Sequence, residues 1–165
     1  MATPSLAETN ALSTADFIKR FGELFEHSPW VVERAAAMRP FADLHAGLMR
    51  PVHEASAEEH LALIRAHPEL AGKAVIDRTL TAASTAEQAS AGLDRMTEVE
   101  FARFGALNTA YRERFGFPFI ICVRLTDKAG ILAAMETRLA HSREVEIAAA
   151  LAEIAKIVRL RLEDL

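Results

Sequence analysis

The sequence predicts an all-α fold, a single-domain bundle of roughly seven to nine helices. Three observations predict it. Helix-start signals recur along the chain. The last segment carries an apolar stripe at helical spacing, Ile147, Leu151, Ile154 and Val158. Strand signals are scarce: "FGFPFIICV" (residues 115–123) is the one dense apolar and aromatic run, and Pro118 inside it argues against a central strand. That run reads as an extended buried segment.

The elements follow in order. Residues 1–12 are small and polar and read as a flexible N-terminus, leaving 13–165 as the domain. "STAD" (Ser13 to Asp16) opens a helix over "FIKRFGELF". In "SPW", Ser28 stands at a cap and Pro29 at the first helical position, before "WVVERAAAM". "SAEE" (Ser56 to Glu59) has the spacing of a capping box before "HLALIRA". "STAE" (Ser84 to Glu87) and "TEVE" (Thr97 to Glu100) have the same spacing. Asp127 caps "KAGILAAMETRLA", and Ser142 caps the final helix from "REVEI" onward.

Composition excludes several function classes. At 165 residues and 51% hydrophobic, the chain can bury a core unaided. Its single cysteine, Cys122, rules out an internal disulfide framework and a multi-cysteine zinc site. It reads as a small buried hydrophobe. A net charge of -4 with interspersed signs argues against nucleic acid as a partner. No run approaches the roughly 18 apolar residues of a membrane span. The first residues lack the basic-then-apolar order of a signal peptide, so the expected location is the cytoplasm. Six histidines raise the question of metal, but "HEASA" has Ala57 where a second ligand histidine would stand. No metal site is expected. Phosphate-binding glycine loops and the G-x-S-x-G nucleophile elbow are also missing from the sequence.

Four polar residues carry two readings each. Proline disfavours helical geometry in the residue before it, so in "LIRAHPELAGK" the helix ends at or near His67. A histidine there can be a helix-end residue favoured by the dipole. It can equally be an acid–base group at the mouth of the long segment "PELAGKAVIDRTLTAA". Glu87 can be the capping partner of Ser84, or a carboxylate for chemistry. Gln88 is a solvated helix residue or an amide for a polar ligand. Arg161 lies close to the apolar stripe of the last helix. It is either an end-of-helix arginine reaching water or one with an anionic or carbonyl partner. Arg159 lies about 160° around the helix from it and reads as solvated.

Motifs then join into a pattern. "FEHSPW", "RPF", "LIRAHPELAGK", "STAEQASAGLD", "LNTAYRERFGFPFIICVR" and "EIAKIVRLRL", in this order, resemble the 2-oxo-4-hydroxy-4-carboxy-5-ureidoimidazoline (OHCU) decarboxylase family. The resemblance runs from about Phe17 to Leu162. One departure is "RPFADLHAGLM", a few residues shorter than usual and read as a helix connection. The resemblance implies an all-α homodimer without cofactor or metal, acting on OHCU, a small-molecule substrate, to give (S)-allantoin in urate breakdown. It implies His67 as the catalytic histidine and Glu87 as its acidic partner. Ser84, Gln88 and Arg161 would contact substrate, with Arg159 as the alternative arginine. Pro68 and the backbone near Phe119, Ile120 and Ile121 would line the pocket. Two rival classes are a non-catalytic helical interaction domain and a hydrolase of the same pathway. The hydrolase would need an activated water that no motif supplies.

Overall fold

The computed structural model describes residues 4–72 and 80–165. Much of the "PELAGKAVIDRTLTAA" segment, residues 73–79, lies outside the described residues. The described chain folds into nine α-helices and one 3-10 turn, with no strand among the described residues, as an all-α fold requires. The helices are α1 (Leu6–Ala11), α2 (Thr14–Phe21), α3 (Trp30–Ala37), α4 (Leu44–His53), α5 (Ala57–Arg65), α6 (Ala82–Ser90), α7 (Glu98–Phe115), α8 (Lys128–Arg138) and α9 (Arg143–Glu163). The 3-10 turn is Val123–Leu125. The chain clusters into two compact units. The first holds Met1–Ala66 and Ala155–Leu165, the second His67–Ile154.

Most of the predicted starts are observed caps. The Ser13 side chain accepts from Asp16 N–H, Asp127 from Gly130 N–H and Ser142 from Val145 N–H. Ser56/Glu59 and Thr97/Glu100 close reciprocal capping boxes. Each such cap satisfies backbone donors that helix geometry leaves open. Ser28 departs from the expectation. Pro29 occupies the cap position of α3, and the Ser28 hydroxyl donates instead to Glu26 O at 2.9 Å. Its neighbour His27 sits at φ 46, exposed between the buried Glu26 and Ser28. The region read as a helix connection at "RPFADLHAGLM" is a connection only to Asp43, which caps α4. Pro51 inside α4 hid that helix in the sequence.

In the first unit α3 packs against both α2 and α4. Phe17 and Phe21 meet at 4.9 Å between ring centres, and Phe41 lies 6.0 Å from Phe17. A Cβ on Gly47 would fall 2.4 Å from the Phe41 ring, so only glycine lets α4 approach it. Within the stretch expected to be flexible, Ser5 and Glu8 box the start of α1, and the Asn10 amide bonds both Phe41 N–H and Phe41 O. The "SLAE" spacing carried that signal.

In the second unit α7 packs against α8 around a fully buried Tyr111. Phe115 and the run that follows enclose Tyr111, with Phe119 edge-on at 5.3 Å. Gly116 ends α7 at φ 80, a left-handed cap. Residues 117–122 then run without helix or strand, burying Phe117, Phe119, Ile120 and Cys122, as the sequence predicts. The stripe of α9 is displaced by one residue at its start. Ile154 and Val158 are buried as expected, but Glu146 and Ala150 hold the centre of the face while Ile147 and Leu151 are half-buried. A carboxylate takes that central place because three partners meet it.

Candidate active site

His67 follows the C-cap of α5 at Ala66 and begins the second unit; its side chain is buried, 8% exposed. Pro68 and Glu69 are half-buried, and Leu70 and Ala71 are buried. Ala71 holds φ 54, a left-handed conformation uncommon outside glycine and asparagine.

The helix carrying Glu87 starts earlier than its sequence suggests. Thr81, not Ser84, caps α6, and the Thr81 hydroxyl accepts from Ser84 N–H at 3.2 Å. Ser84 therefore lies within the first turn, and its spacing to Glu87 is not a capping box. The reason is local: Thr81 offers the same cap three residues upstream. Ser84, Glu87 and Gln88 fall at i, i+3 and i+4, on one face of α6. Ser84 and Gln88 are buried and Glu87 is half-buried.

That face is tied to the segment after His67. Gln88 Oε1 accepts from Ala71 N–H at 3.0 Å, and Gln88 Nε2 donates to Glu69 O at 3.4 Å. From α7, Asn108 Nδ2 donates to Leu70 O at 2.7 Å. Arg112, one turn further along α7, pairs with the Glu69 carboxylate. Three consecutive residues beyond Pro68 are thus held by side chains of two helices.

The 119–121 segment is held by another device. α6 packs on the 3-10 turn that follows this segment. Arg138 Nη1 donates to Ile120 O at 2.7 Å, and its guanidinium stacks 4.3 Å from the Phe119 ring centre. Arg138 Nε donates to Glu146 Oε1 at 2.8 Å. The same oxygen accepts from the Tyr111 hydroxyl at 2.5 Å, and Glu146 Oε2 meets His141 Nδ1 at 2.9 Å. Burial, and then the Glu146 acceptor, push the Tyr111 hydroxyl well above its usual pKa of about 10. A raised folded-state pKa stabilises the fold fully below that usual value, and the benefit is lost as pH rises through the folded one. Tyr111 is the only tyrosine in the sequence, so absorbance at 295 nm reports it alone. The expected titration is silent near pH 10 and rises in one step with alkaline unfolding. Smooth, reversible ionisation near pH 10 in folded protein would refute the buried pairing.

Arg161 belongs to the first unit. It is 7% exposed and follows the second of its two sequence readings, with both an anionic and a carbonyl partner. Its Nη2 donates to Glu26 Oε2 at 3.1 Å and its Nη1 to Leu24 O at 3.3 Å. Arg159 is exposed and donates to His45 Nδ1 at 3.1 Å, which makes His45 Nε2 the donor to Ala155 O. The two arginines separate as the helical angle predicts.

Sequence reasoning passed over Asn108, Glu26, Arg138 and Glu146. Asn108 had a signal. It stands in the run Phe104, Leu107, Asn108, Tyr111 and Phe115, a polar residue at buried helical spacing. Glu26 finds Arg161 across 135 residues, and Arg138 finds Glu146 across 8, pairings that no local pattern encodes.

The comparisons agree on one family. The family model described as OHCU decarboxylase matches residues 10–163. A Haloferax volcanii protein named 2-oxo-4-hydroxy-4-carboxy-5-ureidoimidazoline decarboxylase is 45% identical over 164 residues, covering 97% of this chain and 95% of its own. The uric acid degradation bifunctional protein PucL of Bacillus subtilis is 40% identical over 164 residues, which are 98% of this chain and 32% of PucL. A crystal structure of (S)-allantoin synthase superposes with a TM-score of 0.72 at 30% identity, covering 96% of this chain and 53% of that one. By sequence over nearly its whole length and by fold, this chain belongs to the OHCU decarboxylase family.

Proposed function

We propose that this chain removes CO2 from OHCU to give (S)-allantoin, with His67 as the acid–base group and Glu87 as its partner on the substrate. The chain is a carboxy-lyase of urate degradation. One observation carries the residue assignment. Gln88, the neighbour of Glu87 on α6, holds the backbone immediately beyond His67 and Pro68. The segment that follows the acid–base candidate and the helix that carries the carboxylate candidate are therefore joined by a single side chain.

The substrate carries a carboxylate and a hydroxyl on one ring carbon and a ureido group on its neighbour. Breaking the carbon–carboxylate bond leaves an electron pair on that carbon. The ring's own C=N and carbonyl groups accommodate the pair, so the reaction needs no added electron sink. The protein supplies orientation, proton transfer and exclusion of water. His67 moves the proton, either from the hydroxyl or onto the delocalised carbanion, which is protonated at the ureido-bearing carbon to give allantoin. The role suits an imidazole, whose reference pKa is about 6.5. Glu87 accepts from ring or ureido N–H groups. Ser84 and Gln88 add polar contacts, and Pro68 with the backbone of Phe119 to Ile121 shapes the pocket wall. Arg161 binds an oxygen that gains charge as CO2 departs. Clamping the carboxylate itself would stabilise the ground state and slow its loss. The family resemblance further supports a cytoplasmic homodimer. Among the described residues no helix is long and apolar enough to cross a membrane.

The test is circular dichroism of allantoin formed from freshly generated OHCU. Spontaneous decay gives a racemate, so optical activity reports enzyme alone. Rapid growth of the (S)-allantoin signal supports the proposal, and a racemate at the background rate defeats it. Glu87→Ala is expected to lower kcat by about 10²-fold while helicity persists. Because Ser84 does not cap α6, that variant is not expected to unfold the helix. Loss of helicity with normal turnover per folded molecule would return Glu87 to a structural role.

A further inference from the structure

We propose that Asn108 is a positioning residue for His67, holding the 69–71 backbone so that the histidine keeps its working orientation. The inference rests on His67 as the acid–base group. Asn108 is 4% exposed and stands on the buried face of α7. Its Nδ2 donates to Leu70 O at 2.7 Å, across 38 residues of sequence. Its Oδ1 is buried with no hydrogen-bond partner. A buried amide with one half unsatisfied is a poor choice for stability alone. What the other half secures is a carbonyl three residues past His67.

The neighbouring bonds point the same way. Gln88 takes Ala71 N–H and Glu69 O, and Arg112 pairs with the Glu69 side chain. Ala71 is kept at φ 54, a conformation that persists when surrounding contacts over-determine it. Of these holders, Asn108 alone grips Leu70, the middle of the three residues. Without it, Leu70 O has no donor from α7, and the segment can relax away from the left-handed turn. Pro68 transmits such a shift to His67, because proline fixes φ and leaves little slack between them. Displacement of a catalytic group by about 1 Å can cost about 10²-fold in rate.

Asn108→Leu keeps the approximate shape and removes the amide. The expected result is a kcat lowered by about 10- to 100-fold, with KM within about twofold of the parent. Amide hydrogen exchange should quicken in residues 69–71 and stay slow in α7 and α8. If Asn108→Leu fails to fold, Asn108→Asp, which offers Leu70 O an acceptor at the same size, takes its place with the same expected readings. Turnover within twofold of the parent overturns the proposal. So does a loss matched by the unfolded fraction with exchange raised throughout. His67→Ala in the same assay separates the two readings. If it is inactive while Asn108→Leu is normal, only the positioning role falls. If His67→Ala turns over normally, the acid–base assignment falls and the Asn108 role falls with it.

Discussion

His67→Ala is expected to lower kcat by about 10²-fold or more while leaving the helical fold intact. A factor of 10² corresponds to roughly 2.7 kcal/mol of lost transition-state stabilisation, within the range of an acid–base group. The fold should survive because α5 closes on its own terms. Its capping box is at Ser56 and Glu59, its last residue is Arg65, and its C-cap is Ala66. His67 lies beyond all of these. A second substitution separates proton transfer from hydrogen bonding. His67→Gln retains an amide that can donate and accept, yet it cannot exchange a proton near neutral pH. If proton transfer is the function, His67→Gln should be as slow as His67→Ala. If orientation alone matters, His67→Gln should recover much of the rate. Near-normal (S)-allantoin formation by His67→Ala would leave this histidine as a helix terminus and remove the mechanism.

The sequence made some of this legible and some not, for physical reasons. Caps are local: a hydroxyl or carboxylate meets an N–H three residues away, so Ser13, Ser56, Thr97, Asp127 and Ser142 could be read directly. Where two candidate caps lie three residues apart, spacing alone does not choose. Thr81 outcompeted Ser84, and that choice moves Ser84 and Glu87 from a cap onto a helix face. Arg161 was legible only as one of two alternatives, an arginine reaching water or one held by an anionic or carbonyl partner. That the partner is Glu26, 135 residues away, was not. Glu146 was missed for a related reason. The apolar period drew attention to Ile147 and Leu151, one residue off the true centre of the face. A charged residue can hold a core position when tertiary partners compensate it, and such compensation leaves no periodic mark.

That compensation makes Glu146 the site of the largest expected stability effect. Glu146 is fully buried, and its two oxygens serve Arg138, Tyr111 and His141. Glu146→Ala strands the Arg138 guanidinium in the core, where Nη2 already has no hydrogen-bond partner. It also leaves the Tyr111 hydroxyl without its acceptor. Removing one partner of a buried pair costs about 3–5 kcal/mol. For a chain of this size each kcal/mol shifts Tm by roughly 2–4 °C, so a fall of about 10 °C is expected by thermal unfolding. The pair itself need not be worth that much, because desolvating both charges offsets much of their attraction. Replacing both ends, as in Arg138→Met with Glu146→Leu, removes the stranded charge along with its partner. The double variant should therefore melt above either single one, although Ile120 O loses its donor. The two losses would add if each residue acted alone. Additive losses would mean that Arg138 is held chiefly by Ile120 O and Phe119, and that Glu146 does not compensate it.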